Sequence, residues 1–285
     1  MELLQLKYFC HAAKSENLSE TARHFFVPTS NISQSIKRLE GELGCELFDH
    51  RANKIFLNAQ GKQFYTYAAE ALRLLHEGQA LATDTESVHG EIRLACLSNR
   101  KNVTLAIEKF VRKYPGVSFS IHHTVTAESV FDILISDICP FEYGRRELLL
   151  SEKILLAVNK TNPLAHKSDL SIADLANERF MSMAEGSSMQ RLTVSICAEA
   201  GFSPNIVIQT DDPTYVRKYA EMGLGIAFVP AISWSGLFSE NIVLRQLDGL
   251  NRNIHAFFPK NRSVSRATEA FFTILKEEMS TKHSI

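Results

Sequence analysis

The sequence predicts a mixed α/β chain: three short helices and a two-stranded wing, then one long helix, then two small α/β lobes. Three observations predict this. Apolar residues recur at helical steps through the opening stretch and switch to a strand-like pattern around residues 46–57. Residues 60–89 contain no proline and keep one apolar stripe. Beyond residue 90, short apolar runs alternate with amphipathic stretches, the pattern of strand–helix–strand units. A chain of 285 residues is long enough for two or three such units, with a core that needs no disulfide or metal.

Leu3, Leu6, Phe9, Cys10 and Ala13 share one face of a first helix. Asn17-Leu18-Ser19 interrupts it, and Ser19 is expected to cap a second helix with Ala22, Phe25 and Phe26 as its apolar face. Pro28 lacks a backbone N–H and suits the turn that follows. A third helix over residues 30–43 turns Ile32, Ile36, Leu39 and Leu43 inward. Thr29 precedes it, and its other face carries Ser30, Asn31, Ser33, Gln34, Lys37 and Arg38. Short hydrogen-bonding groups followed by cations suit a helix laid in a DNA major groove. Asn31, Ser33 and Gln34 would then reach base edges, while Lys37 and Arg38 meet phosphates. Taken alone, that face fits a solvated surface equally well. Two β-prone runs, residues 46–48 and 54–57, flank a polar connection. His50, Arg51, Asn53 and Lys54 sit at its tip, able to meet phosphates or a minor groove. Three helices followed by two short strands make residues 1–59 a winged unit, for which DNA binding is one of the two readings. The formal charge of -1 excludes a polybasic, histone-like protein but not a basic face confined to this segment.

This segment resembles the winged helix-turn-helix of the LysR-type transcriptional regulators. The residues that carry the resemblance begin with Leu6-Lys7-Tyr8-Phe9, Ser19-Glu20-Thr21-Ala22-Arg23, Val27, Ile32, Ser33 and Ile36. They continue through Leu39-Glu40, Glu42-Leu43-Gly44, Leu47-Phe48, Leu57 and Gly61, in order and without a gap. Pro28-Thr29-Ser30 stands where the family usually has Ser-Gln-Pro or similar, and Gln34 and His50 stand where members often carry Arg. Both of the latter changes lower the local positive charge and imply modest non-specific DNA affinity with a shallow salt dependence. The resemblance implies a sequence-specific regulator rather than an enzyme, acting on double-stranded DNA with a two-fold operator, as a dimer or tetramer.

Asn58 is expected to cap the long helix. Phe64, Tyr67, Ala71, Leu74, Gly78, Leu81, Thr85 and Val88 fall at alternating steps of three and four, a heptad seam over residues 60–89. Such a stripe packs either on its own chain or against a second copy, and the resemblance implies a linker helix that pairs protomers.

Residues 90–285 read as a sensor of two lobes, the first from 90–160 plus 262–285 and the second from 161–261. Strands are expected at 91–96, 117–121, 131–135 and 148–158, then at 180–183, 205–209, 226–230, 242–247 and 254–258. The chain is expected to cross between lobes near 159–162 and 259–262. Lys113-Tyr114-Pro115-Gly116-Val117, residues 131–135, Asn162-Pro163-Leu164 and residues 223–230 make this region resemble the effector domain of the same family. That fold is shared with type 2 periplasmic solute-binding proteins. In one departure, residues 124–130 are too short for a helix of two or three turns that the family places beside its effector-domain interface.

Two strand-to-helix turns are candidate effector sites: Ser98, Asn99, Arg100 and Lys101 in the first lobe, Ser187 and Ser188 in the second. Free N–H groups at helix starts favour an anionic small molecule. The same residues suit plain helix capping, and Asp211 and Asp212 would repel an anion. His122 and His123 point to opposite faces of a strand, so no metal site is expected, and no cofactor motif is visible. Five widely spaced cysteines read as reduced thiols, and no signal peptide or membrane span is visible, so a soluble cytoplasmic protein is expected. Two rivals predict other features. A purely oligomerising C-terminal domain predicts no metabolite response, and a solute-binding protein or enzyme on the same fold predicts a secretion signal or a catalytic constellation.

Overall fold

The computed structural model of the chain describes residues 1–51, 54–82, 88–126, 129–139, 141–260 and 263–280; Asn53, Thr85 and Arg262 lie outside them. The chain divides into two compact units, Met1–Ser87 and Val88–Ile285.

The first unit holds α1 (Leu3–Ser15), α2 (Leu18–Phe25), α3 (Thr29–Leu43), an antiparallel hairpin of β1 (Phe48–Arg51) and β2 (Lys54–Leu57), and α4 (Ala59–Ala82). Phe9, Ile32, Leu39 and Leu47 are fully buried at its centre. Three expectations change here. Asn17, not Ser19, caps α2, its side chain accepting the Glu20 N–H at 3.1 Å. Phe26 is not inward: it ends α2 in a left-handed conformation (φ 54°) and is 95% exposed, while Phe25 packs edge-on against Tyr8. The wing's first strand begins at Phe48 and runs through Arg51, so His50 and Arg51 belong to the ladder rather than to the connection. The physical reason is the pairing of Arg51 with Lys54, which leaves only two residues to join the strands.

Helix α4 is capped as expected, Asn58 accepting the Gly61 N–H at 2.8 Å. Its stripe divides, however. Phe64, Tyr65, Ala68 and Leu72 pack on the core of their own unit, whereas Tyr67, Ala71, Leu74 and Leu75 are exposed. Val88, placed in the same seam by spacing, packs on the core of the second unit. Gly61 permits the close approach of α4 to the wing, because a Cβ there would lie 2.1 Å from the Leu47 carbonyl oxygen.

The second unit runs β3 (Gly90–Cys96), α5 (Arg100–Lys113), β4 (Val117–His122), β5 (Ile133–Ser136) and β6 (Tyr143–Asn159). Short 3-10 turns at Pro163–Ala165 and Ile172–Leu175 follow, then β7 (Arg179–Met183), α6 (Ser188–Glu199), β8 (Asn205–Thr210) and α7 (Pro213–Glu221). Strands β9 (Ala227–Pro230) and β10 (Ile242–Pro259) and helix α8 (Arg266–Ser280) complete it. One six-stranded sheet has the order β4-β3-β5-β10-β6-β9, with β3 parallel to β4 and β5, and β7 and β8 form a separate parallel pair.

The two stretches expected as separate strands at 242–247 and 254–258 are one strand, β10, whose ladder with β6 shifts register between Gln246 and Asn251. The lobe crossing moves accordingly. Leu150 and Ile254 pack in the first lobe with Phe110 and Phe271, while Ile154 and Leu247 pack in the second with Phe180 and Ile196. The chain therefore changes lobes inside β6 and β10, not at 159–162 and 259–262. A strand's alternation records which face is buried and not which core buries it. The described part of 124–130 contains no helix; Val125, Phe131, Cys139 and Phe141 cover Ala95, Leu134 and Phe257 instead.

Candidate nucleic-acid interface and ligand cleft

Helix α3 begins directly after Pro28, whose side chain cannot cap it, so its first-turn N–H groups have no side-chain acceptor at the N-cap. At 100° per residue, burial of Ile32, Ile36 and Leu39 turns Ser30, Asn31, Gln34, Lys37 and Arg38 to the opposite side, and all five are exposed. Thr29 is exposed at the helix start and Ser33 is half-buried at the margin of this arc. On the wing, His50 and Lys54 are exposed, and Arg51 ends β1. Lys37 and His50 border one hollow between the end of α3 and the wing, shared with Glu40, Gly41, Gly44, Cys45 and Glu46. Glu40 is not free there, since it accepts the Leu47 N–H at 2.8 Å. The folded unit thus brings Lys37 of α3 and His50 of the wing to one hollow.

In the second unit the predicted residues part company. Ser98 is buried and donates to Asp137 at 3.2 Å. Asn99 takes a left-handed conformation (φ 58°) that turns its side chain into the lobe, where its amide donates to the Met279 sulfur at 3.0 Å and its oxygen accepts from Asn102 at 2.7 Å. Its side chain therefore anchors the start of α5 to the core of the lobe. Lys101 donates to the Ser235 carbonyl at 2.6 Å, which ties the start of α5 to the segment after β9. Arg100 is half-buried in the first turn of α5. The Asp212 carboxyl is held below its usual range by the Thr214 N–H, with Arg217 and Arg100 adding to the effect. Ser187 caps α6, accepting the Gln190 N–H at 3.2 Å, and Ser188 is half-buried beside it.

Sequence reasoning missed Asp137, which the carboxyl-end position just after β5 would have flagged. It also missed the wholly buried pair of Glu152 and Arg252, which face each other across the β6–β10 ladder where the lobes meet. Burial pushes the Cys10 and Cys96 thiols up to about 12 and Cys197 up to about 11, whereas Cys45 is exposed. Among the described residues no helix is long and apolar enough to cross a membrane, and no group of three His, Cys, Asp or Glu could hold a metal ion.

Residues 3–62 match the family described as bacterial regulatory helix-turn-helix protein, lysR family, and residues 85–280 match the LysR substrate binding domain. The chain is 26% identical to the transcriptional dual regulator GltC of Bacillus subtilis, over 95% of each chain. It is 26% identical to the transcriptional regulator AlsR of the same organism, covering 89% of this chain and 88% of AlsR. Among solved structures it is similar to a full-length OxyR variant from Pseudomonas aeruginosa (TM-score 0.73, 17% identity, 98% of this chain and 94% of that one). It is also similar to full-length CbnR in complex with its target DNA (TM-score 0.66, 21% identity, 99% of each chain). With both parts of the chain matched in order, the protein belongs to the LysR family of bacterial DNA-binding transcriptional regulators, and is not an enzyme.

Proposed function

We propose that α3 enters the major groove, with Asn31, Ser33 and Gln34 at base edges and Thr29, Ser30, Lys37 and Arg38 at or near the backbone. The wing residues His50, Arg51 and Lys54 would meet the flanking phosphates. The observation that carries this reading is the exposed arc from Ser30 to Arg38 on a helix whose first turn has no side-chain cap. The structure of CbnR with its target DNA, a protein of similar fold, supports it. The chain works in the cytoplasm in three parts: the winged domain of residues 1–59, a linker of residues 60–89 that opens with α4, and the sensor of residues 90–285. Exposed Tyr67, Leu74 and Leu75 on α4 offer an apolar stripe to a second copy, and a paired molecule reads an operator with two-fold character. A small molecule held between the lobes by Ser98, Arg100, Ser187, Ser188 and their backbone N–H groups shifts the balance between two arrangements of the DNA-binding units. It does so by binding one arrangement more tightly.

Operator fragments selected from genomic DNA provide the test. Gln34→Ala is expected to lose about 1–3 kcal/mol of discrimination at one base position. Lys37→Ala is expected to weaken all sequences alike and to reduce the salt slope by about 1. If neither variant changes binding, α3 is not the reading helix.

A further inference from the structure

The chain between β9 and β10 touches both lobes. Its first residues are rooted in the ribbon where the lobes meet. The Ala231 N–H donates to the Lys153 carbonyl at 2.9 Å, and the Ile232 and Ser233 N–H groups donate to the buried Glu152 carboxylate at 2.9 and 2.7 Å. Ile232 packs against the first-lobe core that holds Phe110 and Phe271. Trp234 and Phe238 pack instead against the second-lobe core that holds Val216 and Val229. The guanidinium of Arg217 on α7 lies 5.3 Å from the Trp234 ring centre and adds to that hold. The segment therefore joins the two cores by a route additional to β6 and β10.

Its tip is Ser235-Gly236-Leu237, exposed throughout. Tight turns fold it, the Ser235 N–H donating to the Ile232 carbonyl at 3.1 Å and the Leu237 N–H to the Trp234 carbonyl at 3.3 Å. Gly236 supplies the left-handed residue that this path requires, at φ 69°. Among the described residues, one side chain of the first lobe bonds to the tip. Lys101, in the first turn of α5, donates to the Ser235 carbonyl at 2.6 Å and lies 3.4 Å from the Ser235 hydroxyl. Lys101 is exposed and forms no ion pair among the described residues. An exposed bond from a long, flexible stem adds little to the stability of either core. It acts between the lobes, however, and a contact of this size shifts an equilibrium between two arrangements severalfold.

Building on the sensor role proposed above, we infer that residues 231–238 are an interlobe strap and that the Lys101–Ser235 bond is its latch, favouring the lobe arrangement of this structure. Releasing Lys101 frees the tip while Glu152 still holds the root. The lobes then tilt more readily about the break in the ribbon between Gln246 and Asn251.

Hydrogen exchange of the full-length protein, read by mass spectrometry, tests the latch in Lys101→Met, which keeps an apolar stem and removes the donor. Peptides covering 234–238 and 246–251 are both expected to exchange about three- to tenfold faster, with the α3 peptide and the melting temperature unchanged. Ser235→Ala is expected to match the wild type, because the carbonyl and not the hydroxyl takes the short bond. Unchanged exchange of both peptides in Lys101→Met overturns the latch. Faster exchange confined to 234–238 overturns it too, since the bond is then a local surface contact. Footprints of the wild type and Lys101→Met on a selected operator separate the latch from the reading on which it rests. With the exchange result in place, an altered footprint supports both. An identical footprint leaves the latch standing and removes the coupling between the lobes and the DNA-binding units.

Discussion

Replacing Glu152 with Gln isolates the effect of one buried charge. The Glu152 side chain is 0% exposed and that of Arg252 is 6% exposed. The carboxylate accepts the Ile232 and Ser233 N–H groups at 2.9 and 2.7 Å, the Ser233 hydroxyl at 2.7 Å and Arg252 Nε at 2.8 Å. Two backbone N–H groups stand at one oxygen and Arg252 Nε at the other, so the amide NH2 of Gln faces a donor whichever way it turns. Arg252 keeps only neutral contacts, the Met189 sulfur at 3.2 Å and the Ser233 hydroxyl at 3.3 Å. Breaking a buried pair from one side costs about 3–5 kcal/mol. With a urea slope of about 2–3 kcal/mol/M for a unit of this size, the midpoint falls by about 1–2 M. The assay is built in: Trp234, the chain's single tryptophan, follows Ser233 and packs in the second lobe, so its fluorescence reports this unit. A shift smaller than about 0.3 M would refute the reasoning. The double variant Glu152→Met, Arg252→Met adds a second check. It is expected to regain most of the loss, because no charge remains to be solvated. A double variant as unstable as the sum of its single variants points away from buried charge as the cause.

Other predictions concern the first unit and the thiols. Gly61→Ala is expected to destabilise despite alanine's better helix propensity, because the new Cβ meets the Leu47 carbonyl at 2.1 Å and backbone must move. The overpacking cost is about 1–3 kcal/mol, which lowers the melting temperature by about 4 °C or more; an unchanged or raised melt contradicts it. Brief alkylation followed by mass spectrometry should label exposed Cys45 first and leave Cys10, Cys96 and Cys197 untouched at neutral pH. Labelling of Cys96 at the rate of Cys45 would show that the first lobe opens readily.

The α3 surface was legible in the sequence because helix geometry converts burial of Ile32, Ile36 and Leu39 into the exposure of Ser30, Gln34, Lys37 and Arg38. The α2 cap was not, because Asn17 and Ser19 are both good capping residues and only the fold selects between them. Strand β10 was hidden by Asp248-Gly249-Leu250, which reads as a turn and is instead an irregularity within the ladder, with Gly249 at φ 78°. The surroundings of the candidate effector residues were only half legible. Local spacing found the helix starts, but the inward turn of Asn99 depends on Met279, and the Ser98–Asp137 contact spans 39 positions. Contacts of that separation leave no periodic trace.

Strands β6 and β10 serve both lobes, and this constrains how a signal can travel. A hinge made of loops lets two bodies swing freely. Here the connection is itself a hydrogen-bonded ribbon, so one lobe cannot rotate without bending a ladder that the other lobe shares. The soft point of that ribbon is the break between Gln246 and Asn251, with the Glu152–Arg252 pair beside it. Bending concentrated there would tilt one lobe against the other while the paired stretches on either side stay intact.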